Sequence, residues 1–586
     1  MLLLLSACGI FGIHFRLHNP RFAGKYPKLT EARKLLGNQD SRLRTCFDVK
    51  YYYLSVRFGK NLSLDRGISG TVGIHAIATA DLDTLQLDLA KTMKLDALHE
   101  GSVSPKGMSA GDEVKFFREE GAVFVCFPKT IRKGKSIDLI ADFSGTPIEA
   151  KRPPWSGGFV RKIDDLGHPW WGVSCETEGA SLWWPCKDVL NDEPDSADID
   201  LWVPDGLTGV SNGRRVDAKD RSFSMPPGAG DGLHADCWHV SYPINLYNIT
   251  FYIGKYKLLH DVYYSEVTHD SLQLNHYVLE QHYEQAKKQF PQQKEYIAFY
   301  EKIYGPYAWY KDGCRLVESP YEGMEHQTAI AYGHGFKTDD WGFDYIILHE
   351  TAHEWWGNAV TATDLGDGWI HEGFATYTEA LWVEHTSGRA AYENYLWEGR
   401  ILLKNKRPVS RPYNIRYFDY HDEDIYNKGS WILHSLRYAI NNDSTFFRIL
   451  KKFYAEYKYK NATSYDFEFI VNRETQQDYH WFFETYVHRR LAPVLEYDVH
   501  DGALYTRWTK TSNGFHMPFV VIYGQRQGAH KMDAVFGSVV YDGLPTGTTS
   551  VSFDESKFLY RAKKNNSLHR LYHSQHRSRK NAPRSY

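Results

Sequence analysis

Residues 345–379 constrain this chain more than any other stretch, reading YIILHETAHEWWGNAVTATDLGDGWIHEGFATYTE. His349, Glu350 and His353 stand in the order His-Glu-x-x-His. On a helix, residues four apart lie about 40° apart around the axis and roughly 6 Å along it. Two imidazoles so placed can share one metal ion, and zinc takes histidine nitrogen at about 2.0–2.1 Å. Glu350 occupies the adjacent face, from which a carboxylate reaches a water polarised by the metal. A catalytic zinc takes three protein ligands and keeps one position open. The third candidate is Glu372, in Trp369-Ile370-His371-Glu372-Gly373-Phe374-Ala375, which a loop from Asn358 to Asp367 lets a second helix present. The competing reading is a surface helix with two solvated histidines. The apolar run Tyr345 to Leu348 argues for burial instead, and a buried His-Glu-His cluster needs a partner.

HETAHEWWGN followed by WIHEGFA resembles the zinc core of the aminopeptidase N family of gluzincins. That family's pattern is HExxH, eighteen residues, then Glu, and this chain has that spacing from His353 to Glu372, with Trp355, Gly357 and Asn358 in place. Three further segments resemble the family in its order. Ser319 to Gln327 (SPYEGMEHQ) is similar to the GxMEN exopeptidase motif. There Glu325 would hold the substrate's α-ammonium, and Gly323 and Met324 would pair with the peptide like an added strand. Glu322 stands where Gly is usual and His326 where Asn is usual. Tyr426-Asn427-Lys428-Gly429 is similar to the family's Tyr-x-Lys-Gly segment, whose tyrosine donates to the oxyanion. Glu176, ten residues before Cys186 in Pro185-Cys186-Lys187-Asp188, stands near the family's second amine-binding acid, with Glu178 as its neighbour and rival. Tyr321, Glu322 and Glu176 are expected to border the pocket for the first side chain. Glu379, seven residues after Glu372, shares its helical face and reads equally as a partner of a zinc histidine or as a solvated acid.

The resemblance implies a zinc-dependent aminopeptidase acting on peptides with a free N-terminus. His349, His353 and Glu372 would hold one zinc ion. Glu350 would be the base and Tyr426 the oxyanion donor; Glu176, Glu325, Met324 and Gly323 would bind substrate. Two alternatives are a catalytically impaired peptide-binding lipoprotein and an epoxide or other hydrolase using the same zinc. The complete set His349, Glu350, His353, Glu372 and Tyr426 argues against the first, and nothing favours a lipid substrate for the second.

At 586 residues the chain needs several domains. The expected class is multidomain α+β: an N-terminal β-sandwich or saddle, a thermolysin-like helical catalytic domain and a small C-terminal β-sandwich. Strand-like text fills residues 46–248, with strands expected at 50–58, 67–80, 85–89, 122–127 and 137–143. Residues 249–492 read as the catalytic domain, with helices over 277–288 and 292–303 broken by Pro291. Residues 493–560 return to strand text, at 503–508, 518–523, 535–540 and 551–553. Residues 561–586 carry eight Lys or Arg and no Asp or Glu, which reads as a disordered basic tail.

The formal net charge of -3 gives no field directed at nucleic acid. Seven scattered cysteines without a CxxC pair argue against a cysteine metal site or a dense disulfide frame. Cys175 and Cys186 are near enough in sequence to bridge. Residues 1–45 read as leader and tether: Leu5-Ser6-Ala7-Cys8 resembles a bacterial lipobox, implying export and a membrane tether through lipidated Cys8, although no Lys or Arg precedes Arg16.

Overall fold

The N-terminal strand text folds as strands because its apolar side chains repeat every second residue. Along Phe47–Phe58 the residues Phe47 and Val49, then Tyr52, Leu54, Val56 and Phe58, face one core. The change from odd to even numbers is a bulge between Val49 and Tyr51, which adds one residue and restores the apolar face. Tyr51 and Tyr53 point to the other side and donate to Asp198 and Asp200. A computed structural model describes residues 39–176, 178–221, 232–411, 413, 424–523, 529–532, 534, 538–546, 548 and 550–580.

An eight-stranded sheet runs, edge to edge, through Arg214–Val216, Leu233–Val240, Ser196–Pro204, Phe47–Phe58, Ile68–Ala78, Ser136–Gly145, Met93–Ser104 and Gly107–Glu113. Phe47–Phe58 and Ser196–Pro204 pair in parallel and the other neighbours antiparallel. Two smaller sheets share its core: Leu82–Asp88, Ala122–Ile131 and Lys115–Glu119, and Thr208–Val210, Tyr252–Gly254, Pro169–Ser174 and Gly158–Ile163. Tyr252–Gly254 pairs with Pro169–Ser174, so this unit extends past the expected boundary at residue 248.

The second region joins a five-stranded sheet to helices. Its strand order is Tyr256–Tyr264, Ser271–Leu279, Arg315–Glu318, Ala329–Tyr332 and Gly323–Met324, the last at the edge. The helix Gln292–Ile303 has the expected bounds and buries Tyr296, Ile297 and Tyr300. The expected helix over 277–288 is half strand: Tyr277, Val278 and Leu279 finish Ser271–Leu279, and the helix starts at Tyr283. Val278 is fully buried and Tyr277 pairs with Val317, so sheet pairing outweighs local helical spacing.

The C-terminal unit is a four-stranded sheet (Val540–Gly543, Ala503–Thr509, Val494–His500, Arg561–Lys564) and a three-stranded one (Ala529–Met532, Phe519–Tyr523, Val551–Phe553). The tail expected to be disordered departs from that reading over 561–580. Arg561–Lys564 pairs in parallel with Val494–His500, and Leu568–Lys580 is a helix whose Leu568, Leu571 and Tyr572 pack on Ala503, Tyr505 and Val539. Residues 581–586, residues 535–537 of the strand expected at 535–540, and the leader with Cys8 lie outside the described residues. Trp508, Phe515 and Phe519 join Phe482, Phe483 and Tyr486 in the hydrophobic core that also holds the helices of the catalytic region. Arg400 donates to the carbonyls of Glu555 and Tyr560, and Leu559 N–H donates to Ser435.

Cys175 and Cys186 are both buried, and no disulfide joins them. Among the described residues no helix is long and apolar enough to cross a membrane.

Candidate active site

Asp344 starts the helix Tyr345–Ala352, its side chain accepting from Ile346 N–H at 3.1 Å. Ile346, Ile347 and Leu348 bury one side of it, which turns His349 and His353 toward the helix Trp369–Ser387. The two Nε2 atoms are 3.0 Å apart, and Glu372 Oε2 lies 3.3 Å from that of His349 and 3.4 Å from that of His353. Ligand atoms held at about 2.05 Å by one tetrahedral ion are separated by about 3.3 Å.

The outer nitrogens settle the tautomer. His353 Nδ1 donates to the carbonyl of Trp356 at 2.9 Å, which leaves Nε2 with a lone pair. His349 Nδ1 donates to Glu379 Oε1 at 2.7 Å, and Tyr395 OH donates to the other oxygen of that carboxylate. Glu379 is therefore a buried partner of a zinc histidine, resolving the two readings its spacing allowed. Two lone pairs face each other, and among the described residues the buried Glu372 Oε2 has no hydrogen-bond donor. A shared cation satisfies all three, and this donor set fits one zinc ion.

A cavity of about 120 Å³ opens on this tripod. Its lining includes the expected Glu176, Glu322, Gly323, Met324, Glu325, Glu350 and Tyr426, and also Pro154 and Trp155. Carboxylate oxygens of Glu176, Glu325 and Glu372 lie within 4.8 Å of one another, as do ligand atoms of Glu325, Glu350 and His353. Of the rival pair, Glu176 lines the cavity and Glu178 does not. Tyr321, expected beside the first side chain, is buried elsewhere, its hydroxyl donating to the carbonyl of Val173 at 2.8 Å. Burial pushes the Glu350 carboxyl up to about 8 against the pull of His349 and His353. Burial, then Glu372, also raises that of Glu325 against the pull of His353. Burial would raise Glu372 too, but the two histidines outweigh it and hold it well below the usual range.

Asn358 Nδ2 donates to the carbonyl of Glu325 at 2.8 Å, and Asn358 Oδ1 accepts from Asn248 at 2.7 Å. The Trp-x-Gly-Asn segment after His353 thus fixes the backbone of the amine-binding strand. Tyr247 OH donates to Glu325 Oε1 at 3.1 Å. The sequence reading missed Tyr247 and Trp155; neither sits in a motif that would mark it.

Tyr426 stands on the helix Asp424–Ile440, its ring 6.2 Å from that of His349 and inclined by 26°. Burial, then the surrounding carboxylates, hold its phenol well above the usual range, so it stays a donor. Lys428-Gly429 explains how that helix comes so close. A Cβ on Gly429 would lie 2.6 Å from Gly373 Cα, so the helices carrying Tyr426 and Glu372 touch backbone to backbone. The buried Lys428 ammonium donates to the carbonyls of Arg489 and Arg490, both at 3.0 Å. Gly323 is equally constrained, since a Cβ there would lie 2.5 Å from Glu350 Oε1.

Residues 289–486 match the family model described as the peptidase family M1 domain. Rat (Rattus norvegicus) aminopeptidase B is 26 % identical over 188 residues, covering 30 % of this chain and 29 % of the relative. Mouse (Mus musculus) endoplasmic reticulum aminopeptidase 1 is 27 % identical over 256 residues, 40 % of this chain and 27 % of its own length. Aminopeptidase N of Lactococcus lactis subsp. lactis is 27 % identical over 172 residues, 27 % of this chain and 20 % of its own. The matched stretch thus spans under a third of each of these relatives. Among solved structures, a mutant of an M1 zinc metallopeptidase from Deinococcus radiodurans bound to a Tyr-Ser-Ala substrate has a TM-score of 0.62 at 18 % identity, covering 76 % of this chain and 96 % of that one. This likeness extends the shared fold well beyond residues 289–486. Residues 289–486 are thus similar to the peptidase family M1 domain, and the curated relatives that match this chain are aminopeptidases.

Proposed function

We propose that this chain is a zinc-dependent aminopeptidase that removes N-terminal residues from peptides. The observation that carries this reading is the meeting of three buried glutamates, Glu176, Glu325 and Glu372, at one end of the metal tripod. Glu372 is committed to the metal, which leaves two carboxylates for an ammonium group. Charge-assisted bonds of this kind are strong in a water-poor site. They fix the register, so that a free N-terminus brings its first peptide bond to the tripod. A blocked N-terminus would leave Glu176 and Glu325 buried without a cation, which is costly.

When bound, zinc lowers the pKa of its water toward about 7 and polarises the substrate carbonyl. Glu350 takes the proton of the attacking water and passes it to the leaving amine. The Tyr426 hydroxyl donates to the carbonyl oxygen as negative charge develops there. Gly323 and Met324 offer an open strand edge to the peptide backbone.

The test is hydrolysis of aminoacyl chromogenic amides beside N-acetylated controls, with and without a chelator. Cleavage of free-amine substrates alone, abolished by chelation, is expected. Cleavage of the blocked controls would remove Glu176 and Glu325 from their assigned role. The proposal extends to export with a lipid on Cys8, on the strength of Leu5-Ser6-Ala7-Cys8. Labelling with radioactive palmitate, lost in Cys8→Ser, tests that part; an unlabelled parent chain would refute it.

A further inference from the structure

The loop that carries Glu325 is held from outside itself. Residues 325–328 join the edge strand Gly323–Met324 to its antiparallel partner Ala329–Tyr332, and all four are buried. A backbone bond from Ala329 N–H to the carbonyl of His326, at 2.9 Å, closes the loop. Thr328 sits in it at φ +61°. That left-handed conformation suits glycine or asparagine, and a β-branched threonine keeps it only where its neighbours over-determine it.

Bonds from three directions do so. The Thr328 carbonyl accepts from Arg315 N–H at 3.1 Å, which belongs to the sheet. Thr328 Oγ1 accepts from Gly213 N–H at 2.8 Å, which belongs to the N-terminal unit. Thr328 N–H donates to Glu354 Oε1 at 2.8 Å. Glu354 directly follows His353, just past the end of the helix Tyr345–Ala352. Asn358, four residues further on, holds the carbonyl of Glu325. Both ends of the loop are therefore bound to the segment that starts at the metal-binding histidine. Without the bond from Thr328 to Glu354, the turn is free to relax from its left-handed conformation and to carry the Glu325 carboxylate away from Tyr247 and the tripod.

We infer that Glu354 is a positioning residue for the substrate's ammonium: it holds Thr328 left-handed and so fixes the reach of Glu325 from the tripod. This rests on the aminopeptidase reading above. Glu354 is fully buried and is not part of the cavity lining, so it acts through the loop and touches no substrate.

The experiment measures, by calorimetry on the zinc-loaded chain, the binding of alanine hydroxamate and of propionohydroxamate. Both reach the metal through the same hydroxamate, and they differ only in the α-ammonium. The parent is expected to bind alanine hydroxamate more tightly by about tenfold or more, the size of one charged hydrogen bond. Glu354→Met fills similar space without an acceptor. It is expected to keep its zinc and its affinity for propionohydroxamate while its affinity for alanine hydroxamate falls by about tenfold. Glu354→Gln keeps an oxygen for Thr328 N–H and is expected to keep the parent's ratio. An unchanged ratio in Glu354→Met overturns the inference. So does loss of zinc or equal weakening of both ligands, which would mean that Glu354 acts on the metal site instead. A ratio lost in Glu354→Gln overturns it too, since the charge and not the bond to Thr328 would then matter. Should Glu354→Met fail to fold, Glu354→Asp sets the acceptor back by one methylene and is expected to lose about threefold of the preference; an unchanged ratio there overturns the inference. A parent that binds the two hydroxamates equally would instead overturn the aminopeptidase reading, and this inference with it.

Discussion

Gly429→Ala isolates the contact between two helices from the chemistry they carry. The added Cβ would lie 2.6 Å from Gly373 Cα. Carbon atoms rest at about 3.5–4.0 Å, so the helices must part by about 1 Å. Overpacking of this size costs about 1–3 kcal/mol. Replacing a mid-helix glycine by alanine returns about 1 kcal/mol, so the net loss of stability is about 0–2 kcal/mol. The catalytic effect is larger. Tyr426 stands three residues earlier on the same helix and shifts with it, away from the tripod. A displacement of about 1 Å in a positioned group costs on the order of 100-fold in rate. The assay compares kcat on an alanyl chromogenic amide with zinc content and thermal unfolding. The expected result is bound zinc, a small change in unfolding temperature and a fall in kcat of about 100-fold. A kcat within about twofold of the parent, at equal zinc content, would refute the claim that glycine at this crossing sets the reach of Tyr426.

Tyr426→Phe removes only the hydroxyl and should lower kcat by about 100-fold or more while zinc content stays at parent level; an unchanged rate would end its role as oxyanion donor. Glu379→Gln weakens the acceptor of His349 and should reduce zinc affinity, measured by chelator competition, by about 10–100-fold; unchanged affinity would mean the bond does not tune the ligand. Glu350→Gln should bind zinc and lose turnover, and normal activity would sink its assignment as base. In Glu325→Gln the preference for free over acetylated amines should shrink by about tenfold or more, read as a ratio of kcat/KM values; a preserved ratio would remove Glu325 as an anchor.

The zinc ligands were legible because helical pitch and loop length are local quantities, and His349, His353 and Glu372 depend on little else. Glu379 was legible only as a face. Its spacing put it beside Glu372, but what it meets, His349 and Tyr395, belongs to other elements. Tyr247 reaches Glu325 across 78 residues and Trp155 reaches the cavity from the N-terminal unit, so no local pattern marks either. Lys428-Gly429 was readable as a motif, but its reason, a backbone contact with Gly373, exists only in the packed pair. The tail misled through composition: eight cations and no acid mask the Leu568, Leu571 and Tyr572 face that docks the final helix.

The core that runs unbroken from the catalytic helices into the C-terminal sheets has a bearing on modularity. A chain ended at Pro493 would expose Phe482 and Tyr486, which pack against the sandwich, and strip Arg400 of the carbonyls of Glu555 and Tyr560. Its helix Asp424–Ile440 would also lose the bond from Leu559 to Ser435. The unit that recombination could move intact therefore runs on through the last strand, Arg561–Lys564. A boundary drawn by function at the last catalytic helix would cut through the part of the molecule that keeps Tyr426 in place.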